Sequence, residues 1–110
     1  MKIKVFADTI CGWCYIGQTR LLKSLKNFKN TKFIFEYASF QLNPDMSKKG
    51  MKRQDYLKYK FGSAEAAKPI YDNMAKEAKK ENIKFNLEKI EITPNTILSH
   101  VLTKLAFSKN

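Results

Sequence analysis

The chain has 110 residues, enough for one domain with a modest core, and its 44% hydrophobic and 13% aromatic content excludes global disorder. Lysine and arginine outnumber aspartate and glutamate by 21 to 10, a net charge of +11. The cations are scattered singly and in pairs, and arginine occurs only as Arg20 and Arg53, so a solvated lysine-rich surface is expected rather than a nucleic-acid interface.

"KIKVFA" (2–7) is short and rich in apolar and β-branched residues, which predicts a buried strand ended by Asp8 and Thr9. From Gly12 or Trp13 to Phe28, the residues Ile16, Leu21, Leu22, Leu25 and Phe28 recur mostly at three and four, the spacing of a helix. "NFKN" (27–30) stops it, and "TKFIFEYASF" (31–40) reads as a second strand. Strand, helix and strand with short connections make a parallel βαβ unit. A polar loop (41–50) leads to a short helix over 53–61. Ser63 then caps a longer helix through about Asn82, which Pro69 should kink or restart. Residues 82–92 alternate weakly, as loop or short hairpin. Thr93 as N-cap and Pro94 at the first helical position open a final helix through about Phe107.

Both cysteines, Cys11 and Cys14, lie in "ADTICGWCYIG" (7–17), where the first strand feeds the first helix. Thiols at i and i+3 of a helix N-terminus share one face and come within disulfide reach. Free N–H groups and the positive end of the helix dipole stabilise a thiolate there. Cys11, nearer the exposed end, is expected to attack, and Cys14 to resolve the mixed disulfide. Gly12 permits the tight turn and Trp13 sets an apolar surface beside the sulfur. A structural zinc site needs four ligands, but the chain has no third cysteine and one histidine, His100, so no metal is expected. No stretch is long and apolar enough to span a membrane, and "MKIKVFAD" lacks the apolar core of a secretory signal. The expected compartment is the cytoplasm, where a thiol pair serves catalysis more readily than stapling.

"DTICGWCYIG", "FQLNPDM" (40–46), "FGSAEAA" (61–67) and "TPNTILSHVL" (93–102) together resemble DsbA-like thioredoxin-fold oxidoreductases of the FrnE type. These are similar in fold to 2-hydroxychromene-2-carboxylate isomerases and kappa-class glutathione transferases. The resemblance spans essentially the whole chain and implies an α/β fold, with a thioredoxin-like βαβ portion over 1–43 followed by an inserted helical domain over 44–110. It also implies later strands, including one with a cis-proline facing the cysteines. A two-stranded sheet is too small for independent stability, so the chain is expected to be an N-terminal portion of a longer protein, its stability and activity tied to the remainder. Family members carry proline after the first cysteine, where this chain has Gly12, which bears on the direction of exchange. The isomerase and transferase branches carry serine where Cys11 stands.

The resemblance further implies that Asn95, Thr96 and His100 line a substrate cleft, although spacing alone makes His100 a packed or surface residue. Asp8 is read chiefly as the end of the strand, with influence on Cys14 deprotonation as the alternative. Trp13, Tyr15 and Phe40 are candidates for an apolar substrate platform, with Phe40 expected in the core. The implied function is thiol–disulfide exchange with disulfide-bearing proteins or small thiols, using no cofactor beyond the redox-active disulfide and glutathione as a potential co-substrate. Alternatives are a glutathione-dependent isomerase or transferase on the same fold, and a non-enzymatic holdase-like module that captures unfolded peptides.

Overall fold

The apolar run at the N-terminus forms strand β1 over Lys2–Ala7, and the Phe- and Tyr-rich run forms β2 over Ile34–Ser39. This computed structural model describes residues 1–109. The two strands pair in parallel, from Lys2 opposite Ile34 to Ala7 opposite Ser39. The chain returns between them through helix α1, Gly12–Leu25, as a parallel pair requires. α1 stops three residues before Phe28 because the N–H groups of Lys26, Asn27 and Phe28 bond back three residues rather than four, winding the chain tightly into the loop. Ile16 is the buried anchor of α1, worth about 2 kcal/mol at a full aliphatic side chain.

The expected helices follow. α2 covers Arg53–Phe61 and α3 covers Ala64–Lys80, with Ser63 Oγ accepting from the Ala66 N–H as its N-cap. Ala67, Met74 and Ala78 form the buried stripe of α3. Pro69 lies on the exposed side, and the helix runs through it as one element, against the expected restart. At the far end Asn82 takes φ 59°, and the Ile83 N–H closes onto the Ala78 carbonyl at 3.0 Å. Asparagine tolerates that left-handed conformation, so the helix ends close to the expected place.

The segment 82–92 makes no hairpin with itself. It contains one 3₁₀ turn, Leu87–Lys89, and then strand β4, Ile92–Thr93, which pairs antiparallel with β3, Met51–Lys52. Thr93 is therefore not an N-cap. It is buried in β4, where its hydroxyl accepts from Arg53 Nη1 at 3.1 Å. The last helix, α4, starts three residues after Pro94, over Ile97–Ser108. Every described peptide bond is trans.

Two compact units result. Unit 1 is Met1–Pro44 together with the segment from Thr96 onward, and unit 2 is Asp45–Asn95. Of the span 44–110 expected as a helical insertion, Asp45–Asn95 forms unit 2, and the segment from Thr96 onward groups with Met1–Pro44. α4 belongs with β1, α1 and β2. The reason is chemical: His100 of α4 is buried against Asp8 at the end of β1, and Ser99 Oγ meets Thr9 Oγ1 at 2.6 Å.

Candidate active site

Three consecutive features of the sequence build the site. Asp8 follows the last residue of β1, and its carbonyl accepts the Cys11 N–H at 3.1 Å, closing the turn that ends the strand. Cys11 then takes extended backbone angles, φ −86° and ψ 100°, and becomes the N-cap of α1. Its Sγ accepts the Cys14 N–H at 3.1 Å, the role a serine or aspartate oxygen fills at most helix starts. No acidic side chain occupies the first turn, so the positive end of the helix faces the sulfur uncompensated. Cys11 and Cys14 are joined in a disulfide, with Cα atoms 5.2 Å apart. Both are half-buried.

Asp8 does more than end the strand. Its side chain is fully buried, and Oδ1 accepts from the Thr9 N–H at 2.8 Å and meets His100 Nε2 at 2.9 Å. Oδ2 accepts from the Leu42 N–H at 2.8 Å, and Thr96 adds a side-chain hydrogen bond. Burial pushes the carboxyl up, but these bonds, led by that from Leu42, outweigh it and hold Asp8 below its ordinary value. An ionised carboxylate only accepts, so Nε2 of His100 carries the proton. One side chain thereby ties together the disulfide turn, the segment after β2 and the start of α4.

A cavity of about 270 Å³ opens beside the disulfide, lined by Cys11, Cys14, Tyr15, Tyr37, His100 and Lys104 among others. The Tyr37 hydroxyl of β2 donates to Gln18 Oε1 of α1 along its wall. Tyr15 and His100, two of the residues expected at a substrate cleft, line this cavity. Trp13 is 41% exposed beside the pair, without lining the cavity. Gly12 is the first residue of α1.

The other expected site residues go elsewhere. Phe40 is 52% exposed rather than in the core, because it follows the end of β2 and faces a second opening with Pro44, Ile97 and Val101. Asn95 belongs to unit 2, where its Nδ2 donates to the Met46 carbonyl at 2.6 Å. Thr96 is buried and serves Asp8 rather than the cavity. Sequence reading missed the Asp8–His100 pair and Lys104. The only available hint was an imidazole set within the apolar spacing of Ile97, Val101 and Leu105, a position that needs a polar partner if buried. Among the described residues no group of three or more His, Cys, Asp or Glu could hold a metal ion, and no helix is long and apolar enough to cross a membrane.

Comparison with known proteins agrees with this geometry. No curated protein matches the chain. Among solved structures, a probable DsbA oxidoreductase from Streptomyces coelicolor superposes with a TM-score of 0.86 at 27% identity. The match covers 99% of this chain and 47% of that one, so the chain spans about half the length of that relative. Residues 2–109 match the family of DSBA-like thioredoxin domains. The parallel βαβ unit carries its disulfide at the strand-to-helix turn, and the chain belongs to the DSBA-like thioredoxin domain family.

Proposed function

We propose that the chain carries the redox centre of a thiol–disulfide oxidoreductase. The observation that supports this best is the Cys11–Cys14 disulfide at the N-terminus of α1, with Cys11 Sγ itself capping the helix. In the reduced protein the Cys11 thiolate attacks a substrate disulfide. A Cys11–substrate bond forms, the substrate S–S bond breaks, and the first substrate sulfur leaves with the electron pair and takes a proton from water. The Cys14 thiolate then attacks Cys11 Sγ, re-forms the intramolecular disulfide and expels the second substrate thiol. Two electrons pass to the substrate, and the steps run backwards when a dithiol meets the oxidised protein. The same cap and dipole that stabilise the Cys11 thiolate make it the better leaving group in reverse. The substrates in this reading are disulfide-bearing proteins or small thiols, recycled in the cytoplasm. The "DTICGWCYIG" run supports a place in the FrnE-type branch, with Gly12 as its departure.

Iodoacetamide alkylation of the full chain in its reduced form, mapped by mass spectrometry across pH, tests the assignment. Cys11 is expected to react first, with a midpoint well below the ordinary thiol value of about 8.5. A Cys14→Ser variant should accumulate a mixed disulfide on Cys11, whereas Cys11→Ser should not. An ordinary midpoint for Cys11, or trapping through Cys14 instead, refutes the assignment.

A further inference from the structure

The unit that holds the disulfide has a charge imbalance that the other lacks. Unit 1 carries nine lysines and arginines against two carboxylates, whereas unit 2 carries twelve against eight. Neither carboxylate of unit 1 remains to repel or compete with an anionic substrate. Asp8 is fully buried and bonded to His100, and Glu36 is held by Lys2 and Lys4 at 2.5 and 3.2 Å. Those two lysines keep the Glu36 carboxyl below its ordinary value.

The cavity beside the disulfide sharpens this imbalance to one side chain. Lys104 is its one lysine, exposed and without an ion-pair partner among the described residues. The other titratable groups on the wall are the tyrosines Tyr15 and Tyr37, the Asp8–His100 pair and the disulfide itself. Phe107 and the tyrosine rings give the cavity apolar surface for a peptide backbone and side-chain stems. The site therefore offers an incoming chain one unsatisfied cation, aromatic walls and a disulfide.

We propose that this cavity receives the acidic flank of a peptide thiol, Lys104 taking a carboxylate next to the reacting cysteine. The inference rests on the thiol-exchange reading above and names its substrate class. The peptide thiolate attacks Cys11 Sγ, and a peptide–Cys11 bond forms as the Cys11–Cys14 bond breaks. Cys14 leaves with the electron pair and is protonated by water. The second thiolate of the same peptide then attacks the peptide sulfur bound to Cys11 and releases Cys11, so two electrons pass from a dithiol peptide to the protein's disulfide. The surplus of positive charge on unit 1 concentrates acidic peptides near the site, a field effect that salt screens, while Lys104 supplies the local contact.

The test uses the oxidised full chain and three dithiol peptides of one length, with Asp, Asn or Lys beside the cysteines. Exchange rates are followed by quenching and mass spectrometry. Each is divided by the same peptide's rate with an uncharged small disulfide, which removes differences in thiolate content. At low ionic strength the Asp peptide is expected to react about 5-fold faster than the Asn peptide, and the Lys peptide slower than either. The Asp-to-Asn ratio should approach one in 0.5 M salt. It should also fall at least by half in Lys104→Gln, while Lys29→Gln, outside the cavity, moves it little. Equal rates for the three peptides, or a ratio that Lys104→Gln leaves intact, overturns the acidic subsite while exchange itself stands. No exchange with any peptide overturns the thiol-exchange reading beneath it.

Discussion

Unit 1 and unit 2 are of similar length, yet they satisfy their apolar residues very differently. Of the twenty large apolar side chains left exposed, seventeen belong to unit 1 and only Tyr59, Ile70 and Ile92 to unit 2. Unit 2 closes on itself, burying Tyr56, Ala67, Met74, Ala78 and Thr93 between two helices and a short antiparallel pair. Unit 1 fully buries a few positions, chiefly Ala7, Ile16, Asp8, Thr96 and His100. What holds α4 in unit 1 is thus largely a polar knot rather than an oily face. Unit 2 rests mainly on packing, whereas in unit 1 the hold on α4 rests on one carboxylate and its donors. Mutations in the two units should fail in different ways.

The largest effects belong to unit 2. Tyr56 is only 3% exposed, and its ring lies beneath the Arg53 guanidinium, 5.6 Å from the centroid. Tyr56→Ala should cost about 4 kcal/mol, lost apolar burial plus a cavity, read as a lower urea midpoint at unchanged slope. Gly50→Ala should cost on the order of 3 kcal/mol. Its φ of 77° disfavours any side chain, and an added Cβ would sit 2.6 Å from the Thr93 carbonyl oxygen. Backbone of a strand cannot yield as a flexible side chain would. If either variant unfolds with the wild-type midpoint, unit 2 is not the packed body described.

The same contrast explains how far the sequence could be read. β1, α1, α2 and α3 followed from local pattern: apolar runs, three- and four-residue spacing, and a serine cap. The disulfide turn was legible because the pattern is local, two thiols three residues apart at a helix start. The Asp8–His100 bond joins residues 92 apart, and no local pattern encodes such a partner. Thr93-Pro94 matched a helix opening equally well, but Arg53, distant in sequence, draws Thr93 into a strand pair. Phe40, expected in the core, lies exposed just past the end of β2. In unit 1 the strand positions Ile34, Phe35 and Tyr37 are exposed as well.

Asp8→Asn probes the polar knot and should cost about 2 kcal/mol at neutral pH, because an amide cannot accept from every donor that the carboxylate serves. The pH dependence follows from the direction of the shift. Asp8 is held below its ordinary value in the folded chain, so its stabilisation is full above the unfolded value near 3.8 and disappears as pH falls through the lower folded value. Urea midpoints measured between pH 6 and pH 2 should fall less steeply for Asp8→Asn than for wild type. Glu36 shifts in the same direction, but it lies at the surface in solvent-accessible ion pairs with Lys2 and Lys4. Glu36→Gln should therefore remove less of the acid limb than Asp8→Asn. A reversed order would show that surface pairs, not the buried carboxylate, carry the acid sensitivity of unit 1.

The smallest effect on stability is expected where the sequence pattern looks strongest. α4 reads as an apolar helix, yet Ile97, Leu98, Val101, Leu102 and Leu105 are all exposed, and His100 is its one buried residue. Leu98, at 77% exposed, has almost no burial to lose, so Leu98→Gln should change the urea midpoint by less than about 0.5 kcal/mol equivalent. His100→Leu is more apolar and better suited to the helical stripe, yet it strips Asp8 of its imidazole donor and should destabilise by about 2 kcal/mol. A conventional amphipathic helix would give the opposite ranking, with the leucine mattering and the histidine replaceable. The pair of variants therefore decides whether α4 is held chiefly by its apolar stripe or by its polar contacts around Asp8. Binding of a hydrophobic dye gives a second measure, because Leu98→Gln should lower it while the fold stays intact. If Leu98→Gln instead shifts the midpoint by 2 kcal/mol or more, its side chain is covered in solution and unit 1 is less open than its exposed residues indicate.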